Sequence, residues 1–288
     1  MTVNRSLAVL LVASAGCTLI TDSENDERLS WWSAVSVGFE TSCGLQASGT
    51  ASCWLEHGDG PPAVQLVSVD DGYQHACGLD ADGIGHCWGT FDWEDPLLEV
   101  PAGEHFQQLS AGSFENCGIR DDGSLLCWGN VPAVHDETPE GSFVFVDVGI
   151  DYACAIEESG DVQCWGTNDA GETDDRPGDF VQVSAFSDHT CARDGGNQVE
   201  CWGANADGQL DLPSGKYSWV TAGSMHTCVV DEANKAVCIG NTWDDQTTVP
   251  DGEFLQLDAG YGHTCGLRPD GSLACWGRDD EGQLDIPS

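Results

Sequence analysis

Apolar and polar residues alternate over short stretches along most of this chain, as in FVQVSA at 180–185 and FLQLDA at 254–259. Alternation of period two predicts strands with one buried face. A glycine turn follows each stretch, then a second strand around a cysteine, a second turn and a third strand. The segment LDAGYGHTCGLRPDGSLACWG at 257–277 contains the whole motif. No helical periodicity interrupts it.

The motif recurs. Its first cysteines are Cys43, Cys77, Cys117, Cys154, Cys191, Cys228 and Cys265, spaced by 34, 40, 37, 37, 37 and 37 residues. Trp follows the second cysteine at Trp54, Trp88, Trp128, Trp165, Trp202 and Trp276, with Ile239 in the sixth unit. Five positions before the first cysteine stands Gly38, Gly72, Gly112, Gly149, Gly223 or Gly260, with Phe186 as the exception. Six residues earlier lies a large apolar side chain: Trp32, Leu66, Phe106, Phe143, Phe180, Tyr217 or Phe254. A fixed period of this length signifies a repeat architecture. Three or four strands per unit, repeated seven times, predict an all-β fold, a seven-bladed β-propeller of about 37-residue repeats over 30–288. Tails such as GQLDLP at 208–213 supply either a fourth strand or only a connection.

The second cysteine always comes ten positions after the first. Cys43 is thus matched with Cys53, Cys77 with Cys87, Cys117 with Cys127, Cys154 with Cys164, Cys191 with Cys201, Cys228 with Cys238, and Cys265 with Cys275. Midway between them a three-residue loop ends on Gly49, Gly83, Gly123, Gly160, Asn197, Asn234 or Gly271. Such loops end in the left-handed conformation, which Gly adopts freely and Asn tolerates. The two cysteines then face each other on neighbouring antiparallel strands, roughly 4.5–5.5 Å apart at Cα, within reach of a disulfide. Each hairpin is therefore expected to carry one staple. Structural zinc prefers a closer, CxxC-type spacing.

Composition adds location. The chain has 49 acidic and 9 basic residues, a formal charge of −40. That field repels phosphates and anionic lipids and favours cationic partners, so nucleic acid is not expected as a ligand. Residues 1–17, MTVNRSLAVLLVASAGC, combine Arg5 with an apolar run too short to span a bilayer. They resemble a bacterial lipoprotein signal ending at Cys17, with Ser14 where that family usually has Leu. Fifteen cysteines form an odd set, and Cys17 alone lacks a partner by spacing. Lipidation at Cys17 is the expectation; an ordinary secretory signal is the alternative. Disulfides persist in oxidising compartments, which agrees with export to a cell envelope. Residues 18–29 read as an acidic tether.

The run Gly-x-x-His-(Thr/Ala)-Cys…Asp-Gly…Cys-Trp-Gly…Gly-Gln-Leu resembles the regulator of chromosome condensation repeat, in its short, secreted bacterial form. This resemblance implies the seven-bladed propeller. The stretch Asp245–Pro250 looks like the blade connection of the β-lactamase-inhibitory protein II type, whose members bind β-lactamases and penicillin-binding proteins. It implies a binding role without identifying a partner, since fold alone does not imply function. The nuclear exchange-factor activity of the founding family suits neither the export signal nor the acidic charge.

Several residue sets are candidates for chemistry. His75, His189, His226 and His263 share one register, but Thr41, Glu115 and Tyr152 interrupt the set, which favours a blade-by-blade hydrogen bond over a metal ring. Acidic turns such as Asp80–Gly83, Asp121–Gly123 and Arg278–Gly282 lack the calcium-loop spacing and read as turn chemistry. No nucleophile motif is present, so neither an enzyme nor a cofactor is expected. Departures from the repeat are the candidates for partner binding: Phe91, Trp93, Leu97 and Leu98 in the long connection 90–105, and Trp243 between units six and seven. Loops on rigid scaffolds commonly carry binding surfaces. The overall expectation is a monomeric, non-catalytic propeller, held to a membrane only by an N-terminal lipid and binding a protein. Inhibition of a cell-wall enzyme and glycan binding are the alternatives.

Overall fold

The computed structural model describes residues 31–54, 60–89 and 96–287. The signal segment, Cys17, the tether, Phe91 and Trp93 lie outside the described residues. Seven three-stranded antiparallel sheets follow one another in chain order, each built from consecutive strands. The first contains β1 (Trp32–Val37), β2 (Ser42–Gln46) and β3 (Ala51–Trp54). The remaining blades occupy 66–89, 106–129, 143–166, 180–203, 217–240 and 256–277. The first strands of successive blades pack against one another, so they form the inner wall of a seven-bladed propeller. Among the described residues the tails are connections, not fourth strands, and the connection after blade three includes a short helix (Pro132–His135).

The core consists of seven apolar clusters, one at each seam between blades. At the seam of blades three and four, Ile119 and Leu125 meet Phe143, Val146 and Val148. The large apolar residue that opens each unit explains this pattern, with Phe106, Phe143 and Phe254 buried against the neighbouring blade.

All seven staples are present. Cys43 is bonded to Cys53, Cys77 to Cys87, Cys117 to Cys127 and Cys154 to Cys164. Cys191 is bonded to Cys201, Cys228 to Cys238 and Cys265 to Cys275. Their Cα–Cα distances of 4.0–4.1 Å are shorter than expected from the sequence. Gln46 donates its backbone N–H to Thr50 O, and counting alternate pairs back from there puts Cys43 and Cys53 at a non-hydrogen-bonded pair, where strands lie nearest. The hairpin loops end on residues with φ from +61° at Asn234 to +93° at Gly160, as the Gly/Asn choice requires.

The other recurring glycine has a different cause. A Cβ on Gly38 would lie 1.8 Å from Gly72 O, and one on Gly260 would lie 1.9 Å from Gly38 O. Around the axis each turn backbone presses on the next, leaving no room for a side chain. Phe186, the exception, lines the axial cavity.

Among the described residues the ring closes without exchanging a strand between its ends. Trp32 N–H donates to Gly271 O, Trp54 Nε1–H to Gln283 O, and Gln256 Nε2–H to Val35 O. Ile286 of the C-terminal tail packs beside Val35, Val37 and Trp54. The first and last blades thus meet at a seam held like the others.

Candidate binding face and axial ring

The penultimate residue of each inner strand points to the axis: Ser36, Asp70, Ser110, Asp147, Ser184, Thr221 and Asp258. Each accepts a hydrogen bond from a backbone N–H of the next blade. Asp71 N bonds Ser36 Oγ (3.0 Å), Ala111 N bonds Asp70 Oδ2 (2.8 Å), and Val148 N bonds Ser110 Oγ (3.1 Å). Ala185 N bonds Asp147 Oδ2 (2.7 Å), Ala222 N bonds Ser184 Oγ (3.0 Å), and Ala259 N bonds Thr221 Oγ1 (3.2 Å). Val37 N then bonds Asp258 Oδ2 at 2.6 Å and completes the circle.

Asp70, Asp71, Asp147 and Asp258 line an axial cavity of about 40 Å³. Burial raises the pKa of all four above the ordinary carboxylate value, and Asp258 reaches about 7. Desolvation disfavours the charged form, and neighbouring carboxylates add to it at Asp71, Asp147 and Asp258. The backbone N–H groups that hold these side chains give them a structural role.

One layer outward, each buried histidine bridges to the next blade. His75 Nε2 meets Asn116 Oδ1 (2.8 Å), His189 meets Thr227 Oγ1 (2.9 Å), His226 meets Thr264 Oγ1 (2.8 Å), and His263 meets Ser42 Oγ (2.8 Å). Burial lowers His189 and His263 to about 4 and His226 to about 3, so these rings are neutral. Where histidine is missing, Tyr152 and Thr41 keep a link to the next blade, and Glu115 instead holds the connection that follows its own blade. Tyr152 Oη–H donates to His189 O (2.7 Å), and Thr41 Oγ1–H to Asp71 Oδ1 (3.0 Å). Glu115 accepts Val131 N–H (2.9 Å) and meets His135 Nδ1 at 3.0 Å.

The acidic turns likewise act within the fold. Asp80 Oδ1 accepts the N–H of Asp82 and Ile84, and Asp122 Oδ1 accepts that of Ser124.

The partner-binding candidates separate. Leu97 is 0% exposed, and its carbonyl accepts Asn116 Nδ2–H, so its side chain belongs to the core and cannot contact a partner. Leu98 is half-buried. Trp243 is 82% exposed, and its backbone N–H donates to Asn241 Oδ1.

Four further aromatics lie on the turns between inner and middle strands, close to the axis. Tyr261 and Phe39 stack with centroids 4.2 Å apart, Phe39 and Tyr73 meet edge-on at 4.7 Å, and Tyr73 and Phe114 lie at 5.4 Å. The arc crosses blades seven, one, two and three. Phe114 is 36% exposed, and the other three rings are half-buried. The equivalent turns of blades four to six carry Ile150-Asp151, Ser187-Asp188 and Ser224-Met225. Departures from the repeat do not point to this arc, because each aromatic sits in an otherwise regular unit. Comparing the two residues after each axial glycine reveals it. The loop that carries Trp243 reaches this face, since Asp244 Oδ2 lies 3.2 Å from where a Cβ on Gly262 would be.

Residues 254–283 match the model of the Regulator of chromosome condensation (RCC1) repeat. No curated protein matches the chain significantly. Among solved structures, the CRINKLY WD40 ectodomain of the Arabidopsis thaliana receptor kinase ACR4 is similar, with a TM-score of 0.71 and 24% identity over 86% of this chain and 95% of that one. The ectodomain of the Physcomitrella patens receptor kinase CR4 gives 0.70 and 26% identity, over 86% of this chain and 73% of that one. Prp20p of Saccharomyces cerevisiae gives 0.66 and 12% identity, over 79% and 80%. With seven stapled blades, the chain is a seven-bladed β-propeller whose last unit is similar to the RCC1 repeat.

Proposed function

We propose that this chain is an exported, lipid-anchored, non-catalytic propeller that binds a protein partner through the face bearing the aromatic arc. The observation that carries the reading is the arc itself. Four contiguous rings occupy turns where the fold requires no aromatic, on a scaffold held by seven disulfides. Rigid scaffolds with aromatic anchors suit protein recognition, because little entropy is lost when the partner binds. The staples support an oxidising compartment, and Cys17 supports the anchor. Two of the similar structures are receptor ectodomains, and Prp20p has binding properties towards Gsp1p and histones. The buried carboxylates and histidines are held in inter-blade hydrogen bonds, which favours binding over catalysis.

The test is affinity capture from envelope extract with the full chain and with a Tyr73→Leu/Phe114→Leu variant. A protein retained by the first and lost by the second supports the reading. Equal recovery by both sinks it. Metabolic labelling with palmitate, with Cys17→Ala as control, tests the anchor.

A further inference from the structure

We propose that the arc face recognises a basic peptide segment, whose arginine or lysine side chains lie on the aromatic rings and pair with the carboxylates around them. The inference rests on the binding face proposed above and adds the chemistry of the partner.

Three observations lead to it. First, the arc already holds one cation of its own chain: the Arg278 guanidinium lies over the Tyr261 ring, 5.8 Å from its centroid. An aromatic face attracts such a cation through its quadrupole, and planar guanidinium stacks well on it. Second, that end of the arc has more negative charge than Arg278 can balance. Asp280 binds Arg278 through two contacts, at 2.6 and 2.7 Å, and Glu40 and Asp244 also act on the same guanidinium. Three carboxylates therefore act on one cation. Third, Phe39, Tyr73 and Phe114 continue away from Arg278 without a cation on their rings among the described contacts, and Trp243, beside Asp244, is 82% exposed. The surface thus repeats, beyond Arg278, the ingredients that hold Arg278.

Charge selects among occupants. The chain carries −40, so an anionic segment would be repelled from every direction. A purely apolar segment would cover the rings but leave Glu40 and Asp244 desolvated without partners, which is costly. A basic segment satisfies both features, and the field of the whole chain would hasten its arrival.

The experiment uses the full chain and a capped peptide of six arginines alternating with glycine, followed by isothermal titration at low and at physiological salt. The same peptide with citrulline in place of arginine keeps the shape and removes the charge. The expected result is binding of the arginine peptide and none of the citrulline peptide. A Tyr73→Leu/Phe114→Leu variant and a Glu40→Gln/Asp244→Asn variant should each bind roughly five- to tenfold more weakly, as loss of a cation–π contact or a close charge implies. An Asp121→Asn/Asp122→Asn variant, altered on a hairpin loop at the opposite end of blade three, should bind as the parent does. Equal affinity for all variants, lost with salt, would mean diffuse charge attraction and overturn the proposal. So would failure of the arginine peptide to bind. If the peptide fails while the arc variant still loses its captured protein, the face survives and only its cationic preference falls. If the arc variant keeps its captured protein, the face itself is wrong.

Discussion

At the end of each inner strand the seven blades hold Ser36, Asp70, Ser110, Asp147, Ser184, Thr221 and Asp258; three residues later the turns hold Phe39, Tyr73, Ser113, Ile150, Ser187, Ser224 and Tyr261. The first set varies in chemistry but does one job, since each member supplies an oxygen to a backbone N–H of the next blade. In the second set the backbone N–H of Phe39, Ser113, Ile150 and Ser224 donates to the next blade, but the side chains vary without a shared job. Four blades place an aromatic at this position or the next, and those rings contact one another in place of the core. Side chains that every blade must supply build the ring, and side chains at the neighbouring position are released from that demand. The two layers should therefore respond to substitution in opposite ways.

The largest effect is expected where the axis is tightest. Gly38→Ala places a methyl group on the backbone oxygen of Gly72, which cannot move without moving blade two. A loss of about 3 kcal/mol or more is expected. Thermal unfolding would show it, and an unchanged midpoint would refute the close-packed axis.

Next comes removal of one staple. Replacing Cys154 and Cys164 together by Ser should cost about 2–3 kcal/mol, from the loop-closure entropy returned to the unfolded chain. For a domain of this size the midpoint should drop by roughly 5–10 °C. Parent protein in strong reductant should fall further. Equal melting with and without reductant would deny the staples a role in stability.

A smaller effect concerns pH. Asp258 has a folded pKa near 7 against an ordinary 3.8, so the folded state binds its proton more tightly. Its contribution to stability is full below about pH 3.8 and is lost as pH rises through 7, because ionisation in the buried ring is unfavourable. Asp70, Asp71 and Asp147 shift in the same direction. Stability should therefore increase as pH falls from 8 towards 6.5. Asp258→Asn mimics the protonated group: it should melt a few degrees higher than the parent at pH 8 and show a shallower pH dependence. Parallel pH profiles for the two would contradict the buried-acid account. The neutral, buried histidines oppose this trend as pH falls below their ordinary value of 6.5, most steeply between there and about pH 4, because the unfolded chain takes up their protons first. Comparing Asp258→Asn with the parent cancels that term.

The smallest stability effect belongs to the turns. Tyr73→Leu with Phe114→Leu should change unfolding free energy by no more than about 1 kcal/mol, since each site is partly exposed and carries no required hydrogen bond. Binding should nevertheless be lost. A large drop in stability would make the arc part of the fold and erase the contrast between the layers.

Much of this was legible from spacing. The ten-residue cysteine interval with a Gly or Asn between places the pair opposite across a hairpin, because a three-residue loop leaves only one register. The recurring histidine was readable as a hydrogen-bonding position once Thr41, Glu115 and Tyr152 were seen to replace it. The long connection misled at Leu97. A departure from the repeat can serve either core or surface, and composition does not distinguish them. Trp243 departs in the same way and is exposed. The arc was hidden for a related reason: Phe39, Tyr73, Phe114 and Tyr261 are about 34 to 41 residues apart from one unit to the next, or a full ring apart at its ends, and nothing local marks them as neighbours.

By itself the sequence determined the strand pattern, the seven-unit period and the pairing of cysteines, all of which depend on contacts within one unit and are written in local spacing. Tertiary structure decided how the ring closes, which carboxylates are buried at the axis, that Leu97 points inward, and that four aromatics meet on one face. Those outcomes depend on the curvature that seven packed seams impose, and curvature brings together residues whose separation along the chain carries no record of it.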